Sequence, residues 1–355
     1  MGKNCFSRKS AAVVCALAVA FSALASGASS PVSGELLRPL NSYQQDGYIQ
    51  TEDLLTVAEN YTGVSEDFLD AISMREDVSV SRLKKYALEY NLPAKYLQRF
   101  IDDSFVFKMG DSYEYIPVDY SLSTHSYDWD NLYTDQWGKD YIVDGESHAL
   151  RIIDVSSHQG KIDWDAVAAD GVDGVFVRLG YRGYTKGALN MDDYFYRNLE
   201  GAQAAGLDVG VYFYSQSINS KEAREEAEFV LDALEGYELQ LPVVYDIEGA
   251  QTSAYRTYGV SVQTNTNMVM AFCDTIWEAG YDTMFYSYTS FLAKNLDLSQ
   301  LQGYDLWMAQ YYPVPFCPYN FQIWQYDYQA RVDGIDAPVD MNLLFTDYEP
   351  NWWSV

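Results

Sequence analysis

From residue 150 onward, short apolar runs alternate with longer stretches in which apolar residues recur at helical spacing. Such alternation is typical of βα units and predicts a parallel sheet. The predicted strands are residues 151–154, 175–179, 209–214, 243–248, 284–288, 306–310, 321–326 and 339–341. The predicted helices are residues 164–169, 193–205, 221–234 and 262–279, and the gaps after the fifth strand are too short for full helices. We therefore expect an α/β fold, an irregular (β/α) barrel with about eight strands and five helices.

The chain before residue 150 has a different pattern. Residues 29–49 are small and polar and predict an exposed leader, and residues 50–103 have helical periodicity and a weak internal repeat at a spacing of 28 or 29 residues. The repeat predicts two helix-turn-helix hairpins packed on each other, as a small α-helical N-terminal unit. Residues 104–149 are rich in Tyr and Asp and predict a connector with short strands at 105–108, 113–118 and 141–143. Residues 150–355 are then the barrel domain.

The first residues have the three parts of a secretory signal peptide. A basic start with Lys3, Arg8 and Lys9 precedes an apolar run over residues 11–25, and small residues follow at 23–28. We expect cleavage near residue 25 or 28, a signal peptide over residues 1–28, and a secreted or cell-surface bacterial protein that leaves the membrane once cleaved. An uncleaved membrane anchor is the alternative. Export permits a disulfide between Cys273 and Cys317, although two free thiols are an equal expectation.

The charge balance narrows the function classes. A formal net charge of −28 excludes a nucleic-acid partner, because binding to phosphates requires clustered Lys and Arg. The helical unit is therefore interpreted as a wall-binding, dimerisation or spacer unit, and the sequence does not choose among these. With three His, no CxxC pair and no HExxH motif, neither a metal nor any other cofactor is expected.

Candidate chemistry lies where the predicted strands end, because a β/α barrel builds its site from the C-terminal ends of its strands. Asp154 ends the first strand, Asp246 and Glu248 end the fourth, and Asp340 lies in the eighth. Residues two apart on a strand share a face, so Asp246 and Glu248 are predicted to point together into the barrel mouth. Crowded, partly buried carboxyls have raised pKa values, which suits a general acid for a glycosidic oxygen. Capping of helices, or pairing with Arg178, is the competing interpretation.

Residues 151–345 resemble glycoside hydrolase family 25, the lysozymes. The resemblance is carried by these segments, in family order: Ile153-Asp154-Val155-Ser156, His158-Gln159-Gly160, Ile162-Asp163-Trp164, Phe176-Val177-Arg178, Gly180-Tyr181-Arg182-Gly183, Gly210-Val211-Tyr212-Phe213-Tyr214-Ser215, Asp246-Ile247-Glu248, Trp324-Gln325-Tyr326 and Val339-Asp340-Met341-Asn342 with Phe345. The helical N-terminal unit departs from the family's pattern, and no familiar wall-binding repeat follows the barrel.

The resemblance implies a role for each acid. Glu248 matches the general acid and base, and Asp246 matches the residue that holds the substrate's 2-acetamido group for attack on the anomeric carbon, which retains configuration. Asp154 and Asp340 match two further acids with supporting roles. The implied function is cleavage of the β-1,4 bond between N-acetylmuramic acid and N-acetylglucosamine, with the peptidoglycan glycan strand as partner. The alternatives are an inactive wall-binding module and a chitin-directed barrel hydrolase.

Other polar and aromatic residues near the predicted strand ends are candidates for substrate binding. Their rings would stack on pyranose faces, or pack in the core. Their amides would bind sugar hydroxyls, or satisfy loop backbone instead. The set comprises Tyr212, Tyr214, Tyr286, Trp307, Gln310, Gln325 and Arg178.

Overall fold

The computed structural model describes residues 30–31, 43–135, 138–250 and 252–346. The predicted signal peptide and most of the predicted leader lie outside the described residues. Within the described ranges, no helix has both the length and the apolar content that a membrane span requires.

The N-terminal unit combines helices with very short strands. In chain order the elements are β1 (Ser30–Pro31), β2 (Gln44–Gln45), β3 (Tyr48–Gln50), α1 (Thr51–Ala58), α2 (Glu66–Ile72), β4 (Asp77–Ser79), α3 (Val80–Glu89) and α4 (Ala94–Leu97). Strands β3 and β4 pair antiparallel, and each runs directly into a helix. The weak repeat is therefore a strand–helix–helix unit rather than the predicted helix-turn-helix hairpin. A strand of three residues leaves no periodic signal in the sequence, which is why the pattern showed only the helices.

The end of the predicted exposed leader is part of this unit. Tyr43 and Ile49 are buried, and Tyr43 packs edge-on against Phe100. The expectation of exposure was wrong for Tyr43 and Ile49, because these two apolar side chains complete the core of the helices, whereas residues 45–48 between them are exposed as predicted.

The connector lies against the barrel along an aromatic seam. Its strands are β5 (Ser104–Met109), β6 (Ser112–Pro117), β7 (Leu132–Asp135), β8 (Gly138–Val143) and β9 (Glu146–Ser147). Between β6 and β7, the Tyr127 ring stacks on Phe345 with centroids 4.2 Å apart. The Trp129 ring lies parallel to Phe321 at 6.3 Å. Such ring pairs bury large apolar areas, so the connector is an outer layer of the barrel.

The predicted barrel is confirmed. Its elements are β10 (Ala149–Val155), α5 (Trp164–Ala169), β11 (Gly174–Arg182), β12 (Leu189–Met191), α6 (Phe195–Ala204), β13 (Asp208–Tyr214), α7 (Ser220–Ala233), β14 (Val243–Asp246), α8 (Val262–Glu278), β15 (Thr283–Tyr288), α9 (Thr289–Asn295), β16 (Asp305–Ala309), β17 (Ile323–Ala330) and β18 (Val339–Phe345). The sheet runs in the order β10, β18, β17, β16, β15, β14, β13, β11, and the pairing of β10 with β11 closes it.

The barrel is not wholly parallel, which differs from the parallel sheet that the sequence predicted. Strand β18 runs antiparallel to both β10 and β17. Residues 331–338 are too few for a crossover, which needs about a dozen residues or more, so the chain turns straight back. Strand β12, which the sequence analysis did not identify, pairs antiparallel with the end of β11.

Alternation along the strands gives the barrel two apolar layers. Phe176, Val244, Met284 and Trp307 belong to the cluster that fills the interior. Tyr245 lies between two interior positions on β14 and points outward, where its ring stacks on Phe272 of α8 at 4.6 Å. Strands buried on both faces have continuous apolar sequences, as these do.

The two cysteines do not form a disulfide. Cys273 and Cys317 are both free and buried. The Cys273 thiol lies within hydrogen-bond distance of the carbonyl oxygen of Met284, at 3.8 Å. The structure thus decides between the two expectations in favour of free thiols.

Candidate active site

Four carboxyl groups meet at one end of the barrel. Asp154 lies near the end of β10 and Asp246 is the last residue of β14. Asp340 is the second residue of β18, and it reaches the same end because that strand runs in the opposite direction. In the antiparallel register Asp154 and Asp340 are direct partners. Three strands thus bring these acids together although they are far apart in the sequence.

Glu248 lies two residues beyond the end of β14, not within the strand as predicted. The backbone around it is nonetheless held in place. The Ile247 N–H donates to the carbonyl of Tyr286 at 3.1 Å, and the Ser287 hydroxyl donates to the carbonyl of Ile247 at 2.7 Å. The Gly249 N–H donates to the Tyr288 hydroxyl at 3.2 Å. These bonds to β15 keep Glu248 aimed at the mouth.

The four acids line a cavity of about 300 Å³. The cavity is open at the barrel mouth, and tyrosine side chains form much of its wall. Its lining residues are Asp154, Arg178, Tyr184, Tyr212, Tyr214, Asp246, Glu248, Tyr286, Trp307, Tyr311, Gln325 and Asp340.

Asp154 and Asp340 form a hydrogen-bonded pair of carboxyl groups. The Oδ2 of Asp154 accepts bonds from Gln325 Nε2 at 2.9 Å and from Asn342 Nδ2 at 3.0 Å. Burial raises the pKa of Asp154, and these bonds, with one from Asp340, oppose the rise. Burial, the charge of Asp154 and the bond to it raise the pKa of Asp340 to about 8. The bond between the two groups lowers the pKa of Asp154 and raises that of Asp340, so the proton of the pair is held preferentially by Asp340.

Asp246 and Glu248 form the second pair. Burial, followed by the charges of Glu248 and Asp154, raises the pKa of Asp246 well above its usual value. Burial and then the charge of Asp154 raise the pKa of Glu248 to about 7, while the hydrogen bond from Asp246 lowers it. The Asp246 side chain is 6% exposed, and its Oδ1 has no hydrogen-bond partner among the described residues. The site therefore holds a proton for transfer near neutral pH and a buried acceptor without a donor.

Arg178 forms its direct ion pair with Asp192 and not with any of the four acids, although its charge lowers the pKa of Asp246 somewhat, so the pairing with Arg178 considered for the sequence is not observed. Its Nε and Nη2 donate to Asp192 Oδ2 at 2.9 and 2.7 Å, and Nη2 also reaches the Ser157 hydroxyl. Among the ion pairs found in the described part of the chain, none involves any of the four acids. Arg178 lines the cavity as a paired cation.

The four aromatic residues predicted for substrate binding all line the cavity. Tyr212 and Tyr214 project from β13. Trp307 is only 2% exposed, and its indole N–H donates to Asn342 Oδ1 at 2.8 Å. Tyr286 packs edge-on against Trp307 at 4.9 Å. Trp307 therefore forms the floor of the cavity, beneath the more accessible tyrosines.

The two predicted glutamines have different positions. Gln325 lines the cavity, and its Oε1 accepts bonds from Tyr286 at 2.9 Å and from Tyr311 at 2.7 Å. Gln310 does not line it. The Gln310 amide is buried and bonds to both backbone groups of Phe316. The prediction of substrate binding was thus wrong for Gln310, because the loop after β16 uses this side chain to satisfy its own backbone.

Tyr184 and Tyr311 also line the cavity, and the sequence analysis did not select them. Both lie in loops after strands, where periodicity carries no information. The sequence feature that could have pointed to Tyr184 is its position directly after the Gly180–Gly183 segment, which carries part of the family resemblance. Within the described residues, no group of three or more His, Cys, Asp or Glu side chains is arranged to hold a metal ion.

Comparison with known proteins agrees with this geometry. The family model described as "Glycosyl hydrolases family 25" matches residues 153–335. The chain is 29% identical over 194 residues to the autolytic lysozyme of Clostridium acetobutylicum, a match covering 54% of this chain and 55% of that protein. It is 26% identical over 218 residues to lysozyme M1 of Streptomyces globisporus, covering 56% of this chain and 68% of that protein. The match thus spans about half the length of the first of these relatives.

A solved structure extends the comparison beyond the barrel. The modular autolysin LytC from Streptococcus pneumoniae superposes with a TM-score of 0.52 at 25% identity. The superposition covers 69% of this chain and 57% of that chain. It therefore includes more of the present chain than the family model does.

Proposed function

The chain belongs to glycosyl hydrolases family 25, and on that premise we propose that it is a lysozyme that hydrolyses peptidoglycan. The bond cleaved is the β-1,4 link between N-acetylmuramic acid and N-acetylglucosamine. The observation that carries this proposal is the pairing of Asp246 and Glu248 in an open cavity, with burial raising both pKa values. The pattern of residues 1–28 supports the further proposal that the protein is exported.

Glu248 is the general acid in this proposal. Its pKa of about 7 leaves much of it protonated near neutral pH, so it can donate its proton to the glycosidic oxygen as that bond breaks. The oxygen of the substrate's 2-acetamido group attacks the anomeric carbon, and a cyclic intermediate forms on the sugar. Ionised Glu248 then removes a proton from the water that opens this intermediate. Two inversions at the same carbon give net retention.

Asp246 orients the acetamido group. Its buried Oδ1 has no donor among the described residues, and an acetamido N–H would supply one. Positive charge develops on the acetamido group during attack, and the hydrogen bond that its N–H donates to this oxygen strengthens as that charge develops. The charge of Asp154 raises the pKa values of both Asp246 and Glu248, so the Asp154–Asp340 pair helps to keep the general acid protonated.

The test of this function is the Glu248→Gln variant on purified peptidoglycan. Loss of the general acid should lower turnover by about 10²- to 10⁴-fold, while the fold is kept. The matched control is Glu228→Gln, an exposed position on α7, which should retain normal turnover. Clearing of the wall by a correctly folded Glu248→Gln protein would refute the assignment. Mass spectra of the fragments identify the bond, since muramidase products end in reducing muramic acid and chitinase products do not.

The role of Asp246 has its own test. Asp246→Asn should reduce kcat more than it weakens substrate binding, because the acetamido group develops its charge only during attack. A variant that loses binding alone would contradict assistance by the acetamido group. Binding without cleavage by the wild-type protein would favour the alternative of a wall-binding module.

A further inference from the structure

Two loops carry a stacked pair of tyrosines to the rim of the cavity. The hairpin loop (residues 183–188) joins β11 to β12, and the approach loop (residues 252–260) precedes α8. Tyr184 of the first and Tyr255 of the second lie with ring centroids 4.7 Å apart and an interplanar angle of 29°. Tyr184 also meets Tyr214 edge-on at 6.2 Å. A tyrosine wall therefore rises from β13 to the surface beside Glu248.

Tyr184 remains 44% exposed although it is held by a second ring. An exposed aromatic face that is already fixed in orientation loses little conformational freedom when a ligand packs on it. The C–H face of a pyranose is apolar and flat, and it suits such a ring. Since the protein has a formal net charge of −28, long-range attraction does not hold an anionic polymer here, and short-range contacts must do so.

Arg256 ties the two loops together. Its backbone N–H donates to the carbonyl oxygen of Tyr184 at 2.9 Å. Its Nη2 forms an ion pair with Glu222 Oε1 of α7 at 2.7 Å, with both side chains largely buried. The approach loop is thereby fixed to the hairpin loop and to the helix behind it.

Gly187 shows how closely Arg256 is fitted to the hairpin loop. Its φ is +69°, a left-handed conformation that favours glycine, and the Arg256 guanidinium occupies the space where a β-carbon would lie. From the other side, Arg182 Nη1 donates to the Gly187 carbonyl at 2.8 Å, and Arg182 Nε pairs with buried Glu226 at 2.6 Å. Two arginines therefore hold the loop that presents Tyr184.

We propose that Tyr184 and Tyr255 form a stacking platform for a sugar of the glycan strand next to Glu248, and that Arg256 is the positioning residue of this platform. This inference rests on the proposed function, because that function identifies the ligand as a glycan. It adds residues that determine substrate affinity at one side of the reacting bond. The two rings bind the glycan and do not exchange protons with it.

The first experiment separates binding from turnover with soluble glycan strands released from purified peptidoglycan. Tyr184→Leu removes the flat ring and keeps an apolar side chain, and we expect KM to rise about tenfold with kcat within about twofold. Tyr184→Phe keeps the ring and should behave as the wild type. The matched control is Tyr196→Leu on α6, which is 42% exposed and does not line the cavity. An unchanged KM in Tyr184→Leu would overturn the platform.

The second experiment tests Arg256 as a positioning residue. Arg256→Met should raise KM by a similar factor, and the double variant with Tyr184→Leu should raise it little further, because both changes remove the same platform. Arg256→Lys should restore part of the lost affinity, since it keeps a cation opposite Glu222. A structural role alone would lower the melting temperature without changing KM. Additive effects on KM in the double variant would count against the proposal.

Direct titration keeps this proposal distinct from the proposed function. Calorimetry of the same glycan strands with Glu248→Gln, with and without Tyr184→Leu, measures affinity where turnover is removed. Weaker binding in the doubly substituted protein supports the platform even if the wild-type enzyme were to cleave nothing. Equal binding refutes the platform even if the wild-type enzyme cleaves the wall.

Discussion

Replacing Asp340 by asparagine should make the protein more stable at alkaline pH. The native state holds a proton on Asp340 up to a pKa of about 8, against an ordinary value of 3.8. The native state therefore binds more protons than the unfolded chain between these two pH values, and the stability of the wild type falls as pH rises through that interval. The amide of the Asp340→Asn variant cannot ionise, and it can still donate a hydrogen bond to Asp154.

The magnitude follows from linkage. Each unit of pKa difference between the native and unfolded states changes the free energy of unfolding by ~1.36 kcal/mol. The difference for Asp340 therefore lowers the free energy of unfolding of the wild type by at most roughly 6 kcal/mol at pH values above the native pKa. The cavity is open to solvent and the proton is shared within a pair, so we expect roughly 2 kcal/mol. For a domain of this size that is a change in Tm of about 4–8 °C.

The assay is thermal unfolding followed by circular dichroism, at pH values of about 5 and 9, which bracket the native pKa. The wild type should lose more Tm between the two conditions than Asp340→Asn does. The control is Asp232→Asn, an exposed position on α7, which should behave as the wild type. Equal losses of Tm in the wild type and in Asp340→Asn would show that Asp340 does not hold the proton. Turnover is expected to fall in the stabilised variant, since residues of an active site often lower the stability of the fold in return for activity.

Two more outcomes are expected. Burial and the charge of Asp154 raise the pKa of Glu248 to about 7, so kcat/KM should decline above that pH. The Asp154→Asn variant removes the charge, and its pH–rate profile should show the decline at lower pH. A decline at the same pH in the variant and the wild type would contradict this effect of Asp154. Burial raises the pKa of both Cys273 and Cys317 to about 12, so iodoacetamide should label neither thiol in the native protein and both after denaturation. Peptide mass mapping reads the labels. A peptide pair joined by a disulfide would contradict the free thiols.

The barrel strands were predictable because their sequences reflect burial on both faces. In β13 the residues Val209, Val211 and Phe213 are all buried, and Gly210 and Tyr212, which alternate with them, face the interior. The direction of β18 was not predictable, because the predicted strands at 321–326 and 339–341 left twelve residues between them, and only the structure shows that β17 extends to Ala330. Asp154 and Asp246 followed from strand ends, since their positions depend on the strands, whereas Glu248 lies beyond its strand and Asp340 reaches the mouth through the reversed direction of β18.

Side chains in loops were not predictable in the same way. Gln310 and Gln325 both stand near strand ends, yet only Gln325 lines the cavity. The difference arises because the chain after Gln310 folds back and takes up its amide through Phe316. Tyr184 reaches the rim through a hairpin whose second strand has three residues. The path of a loop depends on distant partners such as Arg256, which no local pattern contains.

The aromatic seam between connector and barrel determines where the molecule can be divided. Residues 153–335, the span shared with the family, stop short of β18 and so omit Asp340 and the strand that closes the barrel. A fragment beginning at residue 150 would in turn uncover Phe321 and Phe345, whose rings Tyr127 and Trp129 now shield. The smallest piece expected to fold autonomously without exposing a large apolar surface therefore includes the connector as well as the whole sheet.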